Sequence, residues 1–248
     1  MELVADVVAW FLEPDHWQGS DGVPARTLEH LWYSVVAVLA ATALALPVGL
    51  WVGHTGRGGA VAVNVANLGR AIPSLGILTL MVVAIGIGFW PAFIALMAFG
   101  IPPILTNAYT GVREVDDDVR EAARGMGMRG GELLRRVEIP IALPLVMAGI
   151  RTSAVQVVAT ATLAAVVGLD GFGRYIVNGL AVQDFAQVAA GAILVAVLAI
   201  LVEVGLAALQ RALVPEGIAA VAEQAATDAK VQGGGVEPGA SAPEARSG

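Results

Sequence analysis

Long apolar runs, each near the length of a bilayer crossing, constrain this chain more than any other feature. They fall at about Leu31–Val52, Ala60–Gly88, Pro91–Tyr109, Ala142–Val167 and Val188–Leu209. A helix needs about 20 apolar residues to cross the hydrocarbon core. The mean hydropathy is +0.75 and only 14% of residues are charged, against roughly one quarter in soluble chains. The expected fold class is all-α: a polytopic membrane protein with about five transmembrane helices, or six if Ala60–Gly88 holds two. That run carries Asn64, Asn67, Arg70 and Pro73, and a break is expected near Pro73. Pro47 is expected to kink the first span, and Trp32, Tyr33 and Trp51 suit an aromatic belt.

Charge is sorted along the chain. Gly53–Gly59, Thr110–Glu138 and the C-terminal end of the last span carry Arg57, Arg113, Arg120, Arg124, Arg129, Arg135, Arg136 and Arg211. The opposite side carries Arg26 and Arg174. By the positive-inside rule the charged segment is cytoplasmic and, with five spans, the N-terminus is outside. Met1–Leu12 is too short to span and reads as an amphipathic helix lying on the membrane. Three regions follow: 1–28, the N-terminal helix and linker; 29–211, the transmembrane domain with a charged segment at 111–140; and 212–248, a cytoplasmic tail disordered by composition.

Several function classes are excluded. The acidic excess at the N-terminus and in the tail argues against nucleic acid, which wants a basic face. There is no cysteine, and His16, His30 and His54 show no ligand spacing, so no metal is expected. A phosphate-binding Walker loop requires a lysine, and the sole lysine is Lys230 in the tail. No cluster of His, Asp or Glu within the spans suggests a catalytic site.

The charged segment has internal order. Asp116, Asp117 and Asp118 suit a helix start. Val115, Val119, Ala122, Ala123 and Met126 recur at spacings of three and four, which predicts one apolar face. Asp116 is placed to pair with Arg120, and Glu121 with Arg124. Gly127 ends the helix, Gly130–Gly131 makes a turn, and Glu132–Val137 begins a second short helix. Taken alone, this describes either an interfacial helix or a docking platform.

The spacing resembles the signature of permease subunits of ABC importers. Glu121-Ala122-Ala123 is followed by three residues, Gly127, nine residues, and then Val137-Glu138-Ile139-Pro140. "GIPPILTNAYTGVREVDDDVREAARGMGM", "IALPLVMAGIRTSAVQVVATATLAAVVGLDGFG", "RAIPSLG" and "EHLWYSVVAVLAA" are similar to the subfamily importing glycine betaine, choline, carnitine and related osmoprotectants. The resemblance covers about Glu29–Leu209. It implies a type I importer fold in the inner membrane, with a second permease subunit, identical or different. It implies cytoplasmic ATPase subunits, which use ATP and Mg, and an extracellular substrate-binding protein. No cofactor is expected on this chain. Glu121, Ala122, Ala123, Gly127, Ile139 and Pro140 would form the ATPase-coupling segment.

Polar residues inside the spans are the remaining candidates. Asn67, Arg70, Pro73 and Ser74 either line or gate a path, or Arg70 snorkels or pairs with a carboxylate such as Glu203. Arg151 and Gln156 read as helix-packing polar groups, and Glu203 as part of a structural ion pair. "LDGFGRYIVNGLAVQDF", Leu169–Phe185, reads as an outside loop with a turn and a re-entrant segment. The alternatives are a permease for an amino acid or another small solute, and an unrelated channel or membrane enzyme.

Overall fold

The structure is a computed structural model, described here for residues 2–59, 61, 63–64 and 73–214. Among these residues every regular element is helical. Helix α1 is Glu2–Leu12, and a 3-10 turn follows at Pro14–Trp17. Helix α2 is Val23–Thr55, α3 is Ser74–Ile85, α4 is Phe89–Arg113 and α5 is Asp117–Gly125. Helix α6, Gly130–Leu133, continues through a π-turn at Leu134–Glu138 into α7, Ile139–Thr160. A 3-10 stretch at Ala161–Val167, α8 at Gly173–Val182 and α9 at Phe185–Leu213 complete the described chain.

Among the described residues, four helical stretches are long and apolar enough to cross a membrane: Val23–Thr55, Phe89–Arg113, Gly130–Val167 and Phe185–Leu213. Of the crossing expected over Ala60–Gly88, the described residues include α3, which begins directly after Pro73, at the expected break. Its 12 residues reach about 18 Å at 1.5 Å per residue, short of the roughly 30 Å hydrocarbon core. Residues 65–72, which include Asn67 and Arg70, lie outside the described residues, as does 215–248.

Helix α4 is the centre of the bundle: half of its most apolar stretch is buried, against 11% for α9. It packs on α2 through small residues four apart, Ala37, Ala41, Ala45, Gly49 and Gly53, all buried. A Cβ at Gly49 would stand 2.8 Å from Ala108 Cβ and 2.9 Å from the Leu105 carbonyl, so the backbones touch there. Small-residue seams of this kind replace the hydrophobic effect, which lipid cannot supply between helices. On its other side α4 meets α7 through Ala108, Val112, Ala142 and Val146.

Three details differ from the sequence reading. Helix α2 starts at Val23, well before Leu31, because Pro24 suits a first helical turn and Arg26 finds partners beyond the apolar run. The second short helix expected from Glu132 is no separate unit, since it runs on into α7. The glycine-containing loop folds mostly as α8, whose Gly173, Tyr175 and Gly179 are buried. Helix α1 forms over the expected stretch. Trp10 is buried edge-on against Tyr175, while Leu3, Val4, Val8 and Leu12 are exposed on the face a membrane surface would cover.

Candidate functional site

Helix α5 is built from local signals. The Asp116 carboxylate accepts the Asp118 amide at 2.8 Å, and Asp117 and Asp118 occupy the first turn. These satisfy free N–H groups and meet the positive end of the helix dipole. The C-terminus closes by a Schellman pair: the Met128 amide donates to the Ala123 carbonyl, and the Gly127 amide to that of Arg124, at 3.2 and 2.9 Å. This geometry requires a left-handed residue, and Gly127 has φ +89°. Two of the motif residues thus have geometric roles: Gly127 turns the chain, and Pro140 sits in the first turn of α7.

The predicted single apolar face is divided in two. Val115 and Ala123 are buried against the bundle. Val119, Ala122 and Met126 point away from it, with Val119 41% and Met126 73% exposed, and Glu121 lies beside them in the open. Spaced three and four apart, these apolar residues form a short uncovered stripe on a cap attached to the bundle end. Ile139 and Pro140 lie behind the cap, half-buried.

Sequence reasoning missed what fastens the cap. Arg120 is 5% exposed, and its guanidinium makes three contacts. One Nη donates to the Val112 carbonyl at the end of α4 at 2.5 Å, the other to Asp117 Oδ1 at 3.2 Å, and Nε lies 3.0 Å from Glu138 Oε1. The last is a close charge contact without hydrogen-bond alignment. Glu138 is 1% exposed, and its other oxygen lies 2.5 Å from Nδ1 of His54, in the last turn of α2. The expected Asp116–Arg120 pair gives way to Asp117 and Glu138 because Arg120 turns inward. The π-turn accounts for the far side: of its five residues only Glu138 is buried, while Arg135 and Arg136 stay exposed.

The opposite end of the bundle carries a second polar cluster. Arg26 pairs with Asp21, with Glu29 at 2.9 Å and with Asp170 at 2.6 Å. Glu29 accepts the Gly171 amide at 3.0 Å, and Tyr175 donates to the Asp21 carbonyl at 2.6 Å. Burial, the largest influence on it, pushes the Tyr175 phenol up to about 12. Within the spans, Arg151 of α7 pairs with Glu203 of α9 and donates to Gln210 at 2.7 Å. This is the structural pair expected of Glu203, with Arg151 as its partner. The Gln156 side chain joins no hydrogen bond among the described residues, although its carbonyl accepts Thr160 at 2.7 Å. Ser74 helps to line a cavity of about 10 Å³ between α3, α4 and the 3-10 stretch, with Leu78, Phe99 and Thr160. That is barely room for one water.

Comparison with known proteins places this architecture. Residues 45–216 match the family model described as "Binding-protein-dependent transport system inner membrane component". The chain is 37% identical over 198 residues to the glycine betaine/carnitine/choline transport system permease protein OpuCB of Bacillus subtilis, covering 80% of this chain and 91% of that one. It is 38% identical over 212 residues to the carnitine transport permease protein OpuCB of Listeria monocytogenes, covering 86% and 95%. It is 35% identical to the osmoprotectant import permease protein OsmW of Salmonella typhimurium, covering 77% and 92%. An inward-facing crystal form of the MetNI methionine ABC transporter shares the fold, with a TM-score of 0.67 over 81% of this chain and 98% of that one, at 22% identity.

Proposed function

We propose, from the premise that the chain belongs to the binding-protein-dependent transport system inner membrane components, that it forms the translocation path for a small quaternary-amine osmoprotectant. Glycine betaine, choline and carnitine are the solutes named in its relatives. The chain is a multi-pass membrane permease subunit, and the inner membrane is its proposed location.

One observation carries the coupling role: α5 is capped, anchored through Arg120, and leaves Val119, Ala122 and Met126 uncovered at the bundle end. A short helix with an apolar stripe fits a groove in a partner protein. The partner we assign is an ATPase that uses ATP and Mg. In this reading Glu121, Ala122 and Ala123 lie at or just behind the contact, Gly127 supplies the turn, and Ile139 and Pro140 join the cap to α7. A second permease subunit and an extracellular substrate-binding protein complete the assembly. Asn67, Arg70, Pro73 and Ser74 are assigned to the path or its gate. Pro73 and Ser74 support this by marking where α3 begins beside α4.

Reconstitution tests the reading. The chain is placed in proteoliposomes with its partner ATPase and binding protein. ATP-dependent uptake of labelled glycine betaine, choline and carnitine is compared with uptake of amino acids. Uptake of a quaternary amine is the expected result. Uptake of an amino acid alone would replace the substrate assignment, and passive flux without ATPase association would favour a channel.

A further inference from the structure

Helix α5 has little to hold it. Within its nine residues only Arg120 and Ala123 are buried, and a methyl group cannot make a hydrogen bond or an ion pair. Arg120 makes three polar contacts: with its own first turn at Asp117, with the Val112 carbonyl on α4, and with Glu138 at the start of α7. Glu138 passes the connection to His54 on α2. Glu138 and His54 stand 84 residues apart, and the close approach of Gly53 to Val112 brings α2 back to α4, so that the contacts form a ring over the ends of α2, α4, α5 and α7.

The geometry points to Arg120, Glu138 and His54 as positioning residues that lock α5 to α2, α4 and α7, so that a push on α5 reaches all three as one movement. This inference rests on the permease reading above. An apolar contact of similar volume would hold the helix at least as firmly, because a buried ion pair gains little net stability. What the network adds is direction. The guanidinium is planar and its donors diverge in a fixed fork, so each arm specifies where one neighbouring element stands. An apolar contact would let α5 slide or rock over the bundle end while remaining attached. The π-turn contributes by turning Glu138 inward beside exposed Arg135 and Arg136. Gly130 completes the ring, since a Cβ there would approach His54 Nε2 to 3.3 Å.

The test uses the complete complex in proteoliposomes, with its ATPase and binding protein. Glu138→Gln keeps the shape and removes the charge that faces Arg120. The readout is solute transported per ATP hydrolysed, measured per assembled complex, which a merely structural role leaves unchanged. The expected result is a fall in that ratio of about fivefold or more, the scale of a typical coupling between sites. A ratio equal to wild type, with both rates falling only as assembly falls, overturns the inference. Should Glu138→Gln fail to assemble, His54→Gln at the more accessible end of the ring carries the same test with the same two outcomes. Wild-type complex that shows no ATP-dependent uptake sinks the permease reading itself. A coupled wild type with equally coupled variants sinks only the ring.

Discussion

Ser153 of α7 donates its hydroxyl to the carbonyl oxygen of Gly100 in α4 at 2.9 Å, and the Ser153 side chain is fully buried. A Cβ at Gly100 would stand 2.9 Å from that hydroxyl and 2.9 Å from Ala41 Cβ on α2. Three spans therefore meet at one point with no room for a side chain. Gly100→Val is expected to destabilise the purified protein by about 1–3 kcal/mol, the usual cost of overpacking. Thermal unfolding in mild detergent measures it, and an unchanged midpoint would contradict the close approach.

The docking assignment predicts a loss of uptake without loss of the protein from the membrane. Glu121→Lys reverses a charge on the exposed side of α5. Gly127→Pro demands φ near −65° where the chain holds +89°. Each is expected to lower ATP-driven uptake by about tenfold or more, a shift of roughly 1.4 kcal/mol. Normal insertion, seen as unchanged membrane abundance, accompanies the loss. Normal uptake in both variants would remove α5 from the coupling role.

The Arg151–Glu203 pair predicts a non-additive pattern. Removing one partner leaves a charge in a poorly solvated place, whereas removing both leaves none. The double variant Arg151→Met with Glu203→Met is expected to unfold at a higher temperature than either single variant. A separation of about 1 kcal/mol is in scale for polar contacts between membrane helices. A double variant that unfolds below both singles would show that the two residues act apart.

At the end of the bundle that carries Arg26, His30 receives two demands. Its Nε2 lies 2.9 Å from the Val158 carbonyl, and Nδ1 accepts the Phe172 amide at 3.3 Å. The residue is 1% exposed. His30→Leu leaves the buried amide without its partner, at a cost of about 1–3 kcal/mol. Hydrogen exchange at Phe172 and neighbouring amides should quicken. Unchanged protection there would mean that the loop before α8 is held by other contacts, such as the Glu29 bond to the Gly171 amide.

Four of the five expected spans and the cap of α5 were legible because each rests on a local signal: apolar length for the first, three acidic residues before a small apolar repeat for the second. Glycine spacing located Gly127 correctly for the same reason, since a helix stop depends on a few neighbouring residues. Arg120 was not legible. It stands among six arginines between Arg113 and Arg136, and its burial is decided by Glu138 and Val112, which composition cannot rank above Asp116. Helix α8 was hidden by its own glycines, which read as turns but serve as contact points, with Gly179 against Val188 and Gly173 against the Thr162 carbonyl. The early start of α2 was missed because its first turns lie beyond the apolar run and are held by ion pairs at Arg26.

The π-turn at Leu134–Glu138 widens the helix locally, as if one extra residue had been admitted. The number of residues between Gly127 and Pro140 therefore sets an angle as well as a length. Each residue of a helix turns the chain by about 100°. Deleting one residue from the widened turn would leave α6 and α7 helical and the span intact, yet swing Glu138 away from Arg120 relative to everything before it. The stretch is a phase adjuster between the cap at the bundle end and the long helix that follows it, and its tolerance for insertion or deletion should be lower than that of any exposed loop nearby.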